Sequence, residues 1–150
     1  MPVKRANASD AKRLTELTFR SKAYWGYSKV QIEEWREELT ITESYVEENE
    51  LYKLIDGEEI IGFYAYSPED SITIKLNYLF VKVDRIGHGH GKQLISDLLG
   101  RIQSTKYQRV IVDSDPNAEL FYQKHGFRKI GKLASSIKDR YLPIMEFKLQ

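Results

Sequence analysis

Residues 85–94 read RIGHGHGKQL, with glycines at 87, 89 and 91 alternating with His88 and His90. The stretch follows the strand-like NYLFVKV and precedes Leu94, Ile95, Leu98, Leu99 and Ile102, which recur at helical spacing. RVIVDS (109–114) then reads as a short strand with the apolar centre Val110-Ile111-Val112, as expected inside a parallel pair. A strand, a glycine loop, a helix and a second strand form a crossover unit, which places one parallel pair near the middle of the sheet.

The flanking segments narrow the choice. A strand at 2–5 leads to a helix expected to be capped by Ser9, with Leu14 and Leu17 facing inward. SKAYWGYS (21–28) reads as an aromatic loop, after which Ser28 and Gln31 form a capping box for a second helix with Ile32, Trp35 and Leu39 as its stripe. ITESYVEEN adds a further turn of helix. LYKLI and IIGFYAYS are strands joined by DGEE, a hairpin signal, and SITIKLNYLFVKV (71–83) is a long third strand. Asp115 and Pro116 open a short helix that Gly126 stops, and a closing hairpin ends in PIMEFKL. The expectation is one α/β domain over residues 1–150, with a mixed sheet.

Composition removes several functions. A net charge of +1 gives no basis for general nucleic-acid binding. No apolar run approaches the roughly 20 residues of a membrane helix. MPVKRANASD lacks the apolar core of a leader, so the cytoplasm is the expected compartment. With no cysteine there is neither a disulfide nor a thiolate ligand. Residues 28–59 hold eleven acids against Lys29, Arg36 and Lys53, a net of −8 that leaves +9 on the rest. That acidity is a solvated helix face or an attraction for a cationic substrate.

The loop has two readings: histidines as metal ligands, or glycines clearing space for an anion. His88 and His90, with His125 on a separate helix, lack the cysteine or nearby carboxylate that would complete a zinc set, so no metal is expected. Glycine loops at helix N-termini present backbone N–H groups to phosphate. The nucleotide P-loop does not fit, because Gly91-Lys92 is followed by Gln93 and Ile86 stands where its first glycine belongs. The dinucleotide fingerprint fails as well, since the spacing is G-x-G-x-G.

Ile86-Gly87-His88-Gly89-His90-Gly91 aligns with the signature [QR]-x-x-G-x-[GA], and the chain resembles the GNAT acetyltransferase superfamily. DPNAELFYQKHGF (115–127) is similar to a second family segment, with Ala118, Tyr122, Gly126 and Phe127 at matching offsets. Two positions depart from the pattern: Ile86 replaces the usual Gln or Arg, with Arg85 beside it, and Asp115 replaces Asn, with Asn117 two residues on.

The resemblance implies a mostly antiparallel sheet with a central, splayed parallel pair and helices on both faces. It implies acetyl-CoA as co-substrate, held by Gly87, His88, Gly89, His90, Gly91 and Lys92 at the pyrophosphate. Leu79, Phe80 and Val81 would line the pantetheine, and Asn117 and Tyr122 would also touch the cofactor. The Val81 N–H would polarise the thioester carbonyl, and Tyr122 would act as general acid to the leaving thiolate. The acceptor would be a primary amine of a small molecule or peptide, met by Tyr24, Trp25, Tyr27 and Arg140. Homodimers are common in that family, and a non-catalytic acyl-CoA-binding module is the alternative use of the same site.

Overall fold

The computed structural model describes residues 1–149. Its strands are β1 (Val3–Arg5), β2 (Glu50–Asp56), β3 (Glu59–Pro68), β4 (Thr73–Val81), β5 (Arg109–Asp113), β6 (Arg128–Ala134) and β7 (Tyr141–Lys148). Its helices are α1 (Ala11–Tyr24), α2 (Lys29–Glu34), α3 (Arg36–Leu39), α4 (Glu43–Glu48), α5 (His90–Ile102) and α6 (Glu119–Lys124). The strands form one mixed sheet in the order β1-β2-β3-β4-β5-β7-β6. β4 and β5 are its central parallel pair, while β1·β2, β5·β7 and β6·β7 are antiparallel. The expected mixed α/β sheet is therefore present. The chain divides into two compact units, one of Met1–Ala65 and Tyr78–Asp97, the other of Tyr66–Asn77 and Leu98–Gln150.

In the first unit α1 starts differently from the sequence expectation. Ser9 does not cap it; its hydroxyl donates to Asn7 Oδ1, and residues 8–10 form a 3₁₀ turn. The start is fixed instead by Asp10, only 1% exposed, whose carboxylate accepts from the Asn7 N–H at 3.0 Å. It also pairs with Lys53 on β2 and with Arg13, each at 2.7 Å. Burial alone would raise this carboxyl's pKa, yet the bonds from Lys53, Asn7 and Arg13 hold it below its ordinary value. α1 also continues through Tyr24, so half of the expected 21–28 loop is helical; Gly26, at φ 89°, marks the turn beyond it.

Ser28 caps α2 as expected, accepting from the Gln31 N–H at 3.1 Å, but the helix breaks at Trp35 before α3. Leu14, Leu17, Ile41, Val46, Leu51 and Phe63 build the core beneath, with Tyr78 and Phe80 packed against it. Gly57, at φ 63°, turns the two-residue β2–β3 connection. β4 is shorter than its predicted span: it starts at Thr73, and residues 83–85 are a 3₁₀ turn.

In the second unit the parallel register pairs Thr73–Lys75 with Arg109–Ile111. β5 was expected to be covered on both faces. Instead Val110 and Val112 are buried while Arg109, Ile111 and Asp113 alternate as half-exposed. One cause is charge: Lys75 pairs with Asp113 at 2.7 Å, and Arg109 pairs with Glu146 at 2.9 Å and reaches Thr73 Oγ1 at 2.8 Å. β6, one edge of the sheet, is exposed along nearly its whole length and carries a bulge between Lys129 and Gly131.

Candidate functional site

In the first unit the chain leaves β4 at Val81, makes the 3₁₀ turn and reaches α5 through the glycines. Gly87 and Gly89 have φ of 88° and 82°, left-handed angles that cost a side-chain-bearing residue free energy. A Cβ at either would meet nothing within 4 Å, so both face open space. Gly91 differs: it lies in the first turn of α5, in helical backbone. The first intrahelical bond runs from the Gln93 N–H to the Gly89 carbonyl at 3.1 Å, so the amides of residues 89–92 precede the helical ladder. His88 and His90 stand 6.2 Å apart between ring centroids, and among the described residues no group of three or more His, Asp or Glu could hold a metal ion. Arg85, adjacent to the departed signature position Ile86, is drawn to Asp56 at 3.2 Å and Glu59 at 3.5 Å.

The end of β4 is held from two sides. Ser21 Oγ on α1 donates to the Val81 carbonyl at 3.2 Å, and the Lys82 N–H donates to the Ile61 carbonyl on β3 at 2.7 Å. Gly62 lets β3 and β4 come this close, because a Cβ there would lie 2.7 Å from the Phe80 carbonyl oxygen. Leu79, Phe80 and Val81 are half-exposed. The same unit carries the aromatic residues expected at the acceptor. Tyr24 and Trp25 are 51% and 43% exposed and meet edge to face at 5.1 Å. Tyr27 meets Trp35 in the same way at 4.9 Å.

The second unit holds the remaining expected residues around Asp115. Its carboxylate accepts from the Asn117 N–H and side-chain amide, each at 2.9 Å, and from Arg140 at 3.3 Å. The Arg140 guanidinium, with a side chain 16% exposed, is thus engaged within the fold. Tyr122, on α6, is 5% exposed, packed edge to face on Phe121 at 5.2 Å and on Phe127 at 5.2 Å. Leu120, by contrast, is 77% exposed and takes no part in that packing. Burial, and after it the negative charge of Asp115, raises the Tyr122 phenol far above its ordinary pKa. It stays protonated throughout the physiological range.

Sequence reasoning passed over Gly62, Ser21 and Lys22. Gly62 had a local signal, a lone glycine inside the apolar run IIGFYAY, which marks a close backbone approach. Ser21 and Lys22 had none, because the 21–28 segment was read as loop.

A central parallel pair, joined by a crossover helix that opens on left-handed glycines, is the architecture of an acetyltransferase of the GNAT type. Residues 11–145 match the family model described as Acetyltransferase (GNAT) domain, and the chain belongs to that family. Solved structures share the fold at low identity. The PaiA N-acetyltransferase of Thermoplasma acidophilum, in complex with coenzyme A, is 18% identical over 98% of both chains, with a TM-score of 0.81. A GCN5-related N-acetyltransferase from Rhodopseudomonas palustris is 20% identical over 99% of this chain and 95% of its own, at 0.79. A GNAT acetyltransferase from Elizabethkingia anophelis, with acetyl-CoA bound, is 21% identical over 89% of each chain, at 0.61. No curated protein matches the sequence.

Proposed function

We propose that this protein is a cytoplasmic N-acetyltransferase that moves an acetyl group from acetyl-CoA to a primary amine of a small molecule or peptide, residues 1–150 acting as one catalytic domain. The observation that carries the reading is the pair of left-handed glycines, Gly87 and Gly89, opening α5 with vacant space above them. Such a turn suits a pyrophosphate, which needs backbone amides and no intruding Cβ. Two fold relatives solved with coenzyme A or acetyl-CoA support it.

Acetyl-CoA supplies the activated thioester. The main-chain amides of Gly87–Lys92 hold its phosphates, and the main chain of Leu79 and Val81, with Phe80 between them, orients its pantetheine arm. The Val81 N–H is the donor for the thioester carbonyl, and the Ser21 bond to the Val81 carbonyl stiffens that peptide. Asn117 contributes on the cofactor side while anchored to Asp115. Tyr122 gives its proton to the departing sulfur. Ordinary phenol and thiol values, about 10 and 8.5, put that transfer uphill by about 2 kcal/mol. Burial raises the phenol, but it destabilises a thiolate in the same dry surroundings too, so the difference grows by less than the phenol's own shift. Tyr24, Trp25 and Tyr27 border the acceptor, and Arg140 steadies the Asp115 turn from which it can meet an acceptor carboxylate.

Thiol release from acetyl-CoA, measured against a panel of primary amines, tests the reading. Turnover with at least one amine is expected. Tight acetyl-CoA binding by calorimetry with no turnover on any amine would instead identify a non-catalytic acyl-CoA-binding module.

A further inference from the structure

One side chain at the end of α1 has no part in the chemistry above. Lys22 Nζ lies 5.7 Å from the ring centroid of Tyr27, 5.6 Å from that of Trp35 and 5.9 Å from that of Phe80. Trp35 is 6% exposed and is fixed against Tyr27 by their edge-to-face contact, so these rings are held before any ligand arrives. Ring faces carry negative potential, and three of them around one point attract an ammonium group whatever molecule it belongs to. The cage adjoins the reaction end of β4. Phe80 precedes Val81, and Ser21, next to Lys22, bonds the Val81 carbonyl. Tyr24 and Trp25, exposed to an extent uncommon for large aromatics, extend the same segment toward solvent.

We propose that Tyr27, Trp35 and Phe80 form a subsite for the non-reacting ammonium of an acceptor carrying two amines, and that Lys22 fills it until such an acceptor displaces it. The purpose of this subsite rests on the acetyltransferase reading. Its ability to bind an ammonium does not. The amine that attacks a thioester must be neutral, whereas an aromatic cage favours the charged form, so the nitrogen it retains is the other one. Exchange puts one ammonium in the place of another against the same three rings. A monoamine has a single nitrogen, which cannot sit in the cage as an ammonium and attack the thioester as a neutral amine at once, so in its reacting pose Lys22 stays in place. The acids at Glu33, Glu34, Glu37 and Glu38, on the segment that carries Trp35, add a field of the right sign for a doubly charged acceptor.

Lys22→Met keeps most of the apolar stem and removes the charge. Tetramethylammonium chloride is titrated into the protein with and without this change, with sodium chloride as ionic-strength control. Tryptophan fluorescence is the readout, in a Trp25→Phe background so that Trp35 reports alone. The Lys22→Met protein should bind tetramethylammonium at least tenfold more tightly than its Lys22 counterpart, and Tyr27→Leu in addition should abolish the gain. Equal affinity with and without Lys22, or a gain that survives Tyr27→Leu, overturns the subsite; melting curves establish that each variant is folded. No acetyl-CoA is present, so a negative result leaves the acetyltransferase reading intact. In turnover, Lys22→Met should raise the kcat/KM preference for a linear diamine over the matching monoamine at least fivefold. An unchanged preference, in an active enzyme that binds tetramethylammonium as expected, overturns the acceptor role. An absence of turnover with every amine would count against the acetyltransferase reading instead.

Discussion

Gly62→Ala is a one-methyl change with a calculable consequence for the β3–β4 contact. The new Cβ would lie 2.7 Å from the Phe80 carbonyl oxygen, 3.0 Å from Leu94 Cδ1 and 3.4 Å from the Val81 Cα. Leu94 can turn its terminal methyl away, but the Phe80 carbonyl is backbone. A carbon and a carbonyl oxygen sit comfortably at about 3.3 Å or more, so the strands must part by roughly 0.6 Å. The Ser21–Val81 and Lys82–Ile61 bonds resist that movement. Overpacking of this kind costs about 1–3 kcal/mol, offset in part by the roughly 0.4–1 kcal/mol that alanine gains through a less flexible unfolded chain. A net loss of about 1–2 kcal/mol corresponds to a melting temperature lower by roughly 2–8 °C at this length. Because Phe80 and Val81 are assigned to the pantetheine arm, acetyl-CoA affinity by calorimetry should fall at least tenfold as well. Gly100→Ala is the control: it lies in α5 with nothing within 4 Å of its would-be Cβ, and it should be neutral or stabilising by up to about 1 kcal/mol. A Gly62→Ala protein that melts and binds like the parent would refute the reasoning.

Tyr122→Phe should lower turnover by roughly 10²–10⁴-fold with little change in acetyl-CoA affinity or melting temperature; unchanged single-turnover chemistry would remove Tyr122 from the mechanism. Since the phenol is raised by burial and Asp115, activity that needs its proton should show no alkaline loss from this group below about pH 10, checked in a pH–rate profile. Gly89→Val imposes a branched side chain on a φ of 82° and should weaken acetyl-CoA binding at least tenfold in a folded protein, whereas His88→Ala and His90→Ala should change it far less. The helical Gly91 lacks this backbone penalty, so Gly91→Val should act less strongly than Gly89→Val. Asp10→Asn breaks a buried charge cluster and should cost about 3 kcal/mol at pH 7 in chemical denaturation. The Asp10 carboxyl is depressed in the fold, so its stabilisation is complete above the unfolded-state pKa and fades as pH falls through the lower folded value. The two proteins should therefore converge in strong acid.

The sequence made the elements with local signals readable. The DG turn announced the β2–β3 hairpin, Leu94, Ile95, Leu98 and Ile102 announced the buried face of α5, and the glycines announced the loop. What escaped depends on partners far along the chain. Ser9 looked like the helix cap because nothing local reveals that the N-cap position falls to Asp10, whose buried carboxylate is tied to Lys53, 43 residues away. Whether Arg85 replaces the missing signature side chain could not be read from the sequence, because its partners Asp56 and Glu59 lie far earlier in the chain, at the β2–β3 turn. Arg140 gave no hint of Asp115, 25 positions earlier. The aromatic residues at 24, 25 and 27 around Gly26 suggested loop, yet no glycine or proline interrupts the helical run before Gly26, and α1 runs on through Tyr24.

The exposed edge strand β6 has a consequence for the protein at high concentration. An edge of seven residues offers unpaired backbone groups to any other chain, and Ile130 and Leu133, each 46% exposed, add apolar surface to that offer. Arg128, Lys129 and Lys132 oppose it, because an approaching copy would bring the same cations against them. The bulge between Lys129 and Gly131 twists the edge out of the flat register that a second strand needs. This edge is built to stay solitary, and replacing Lys129 and Lys132 with threonine should increase the formation of β-rich aggregates on concentration, relative to the parent protein.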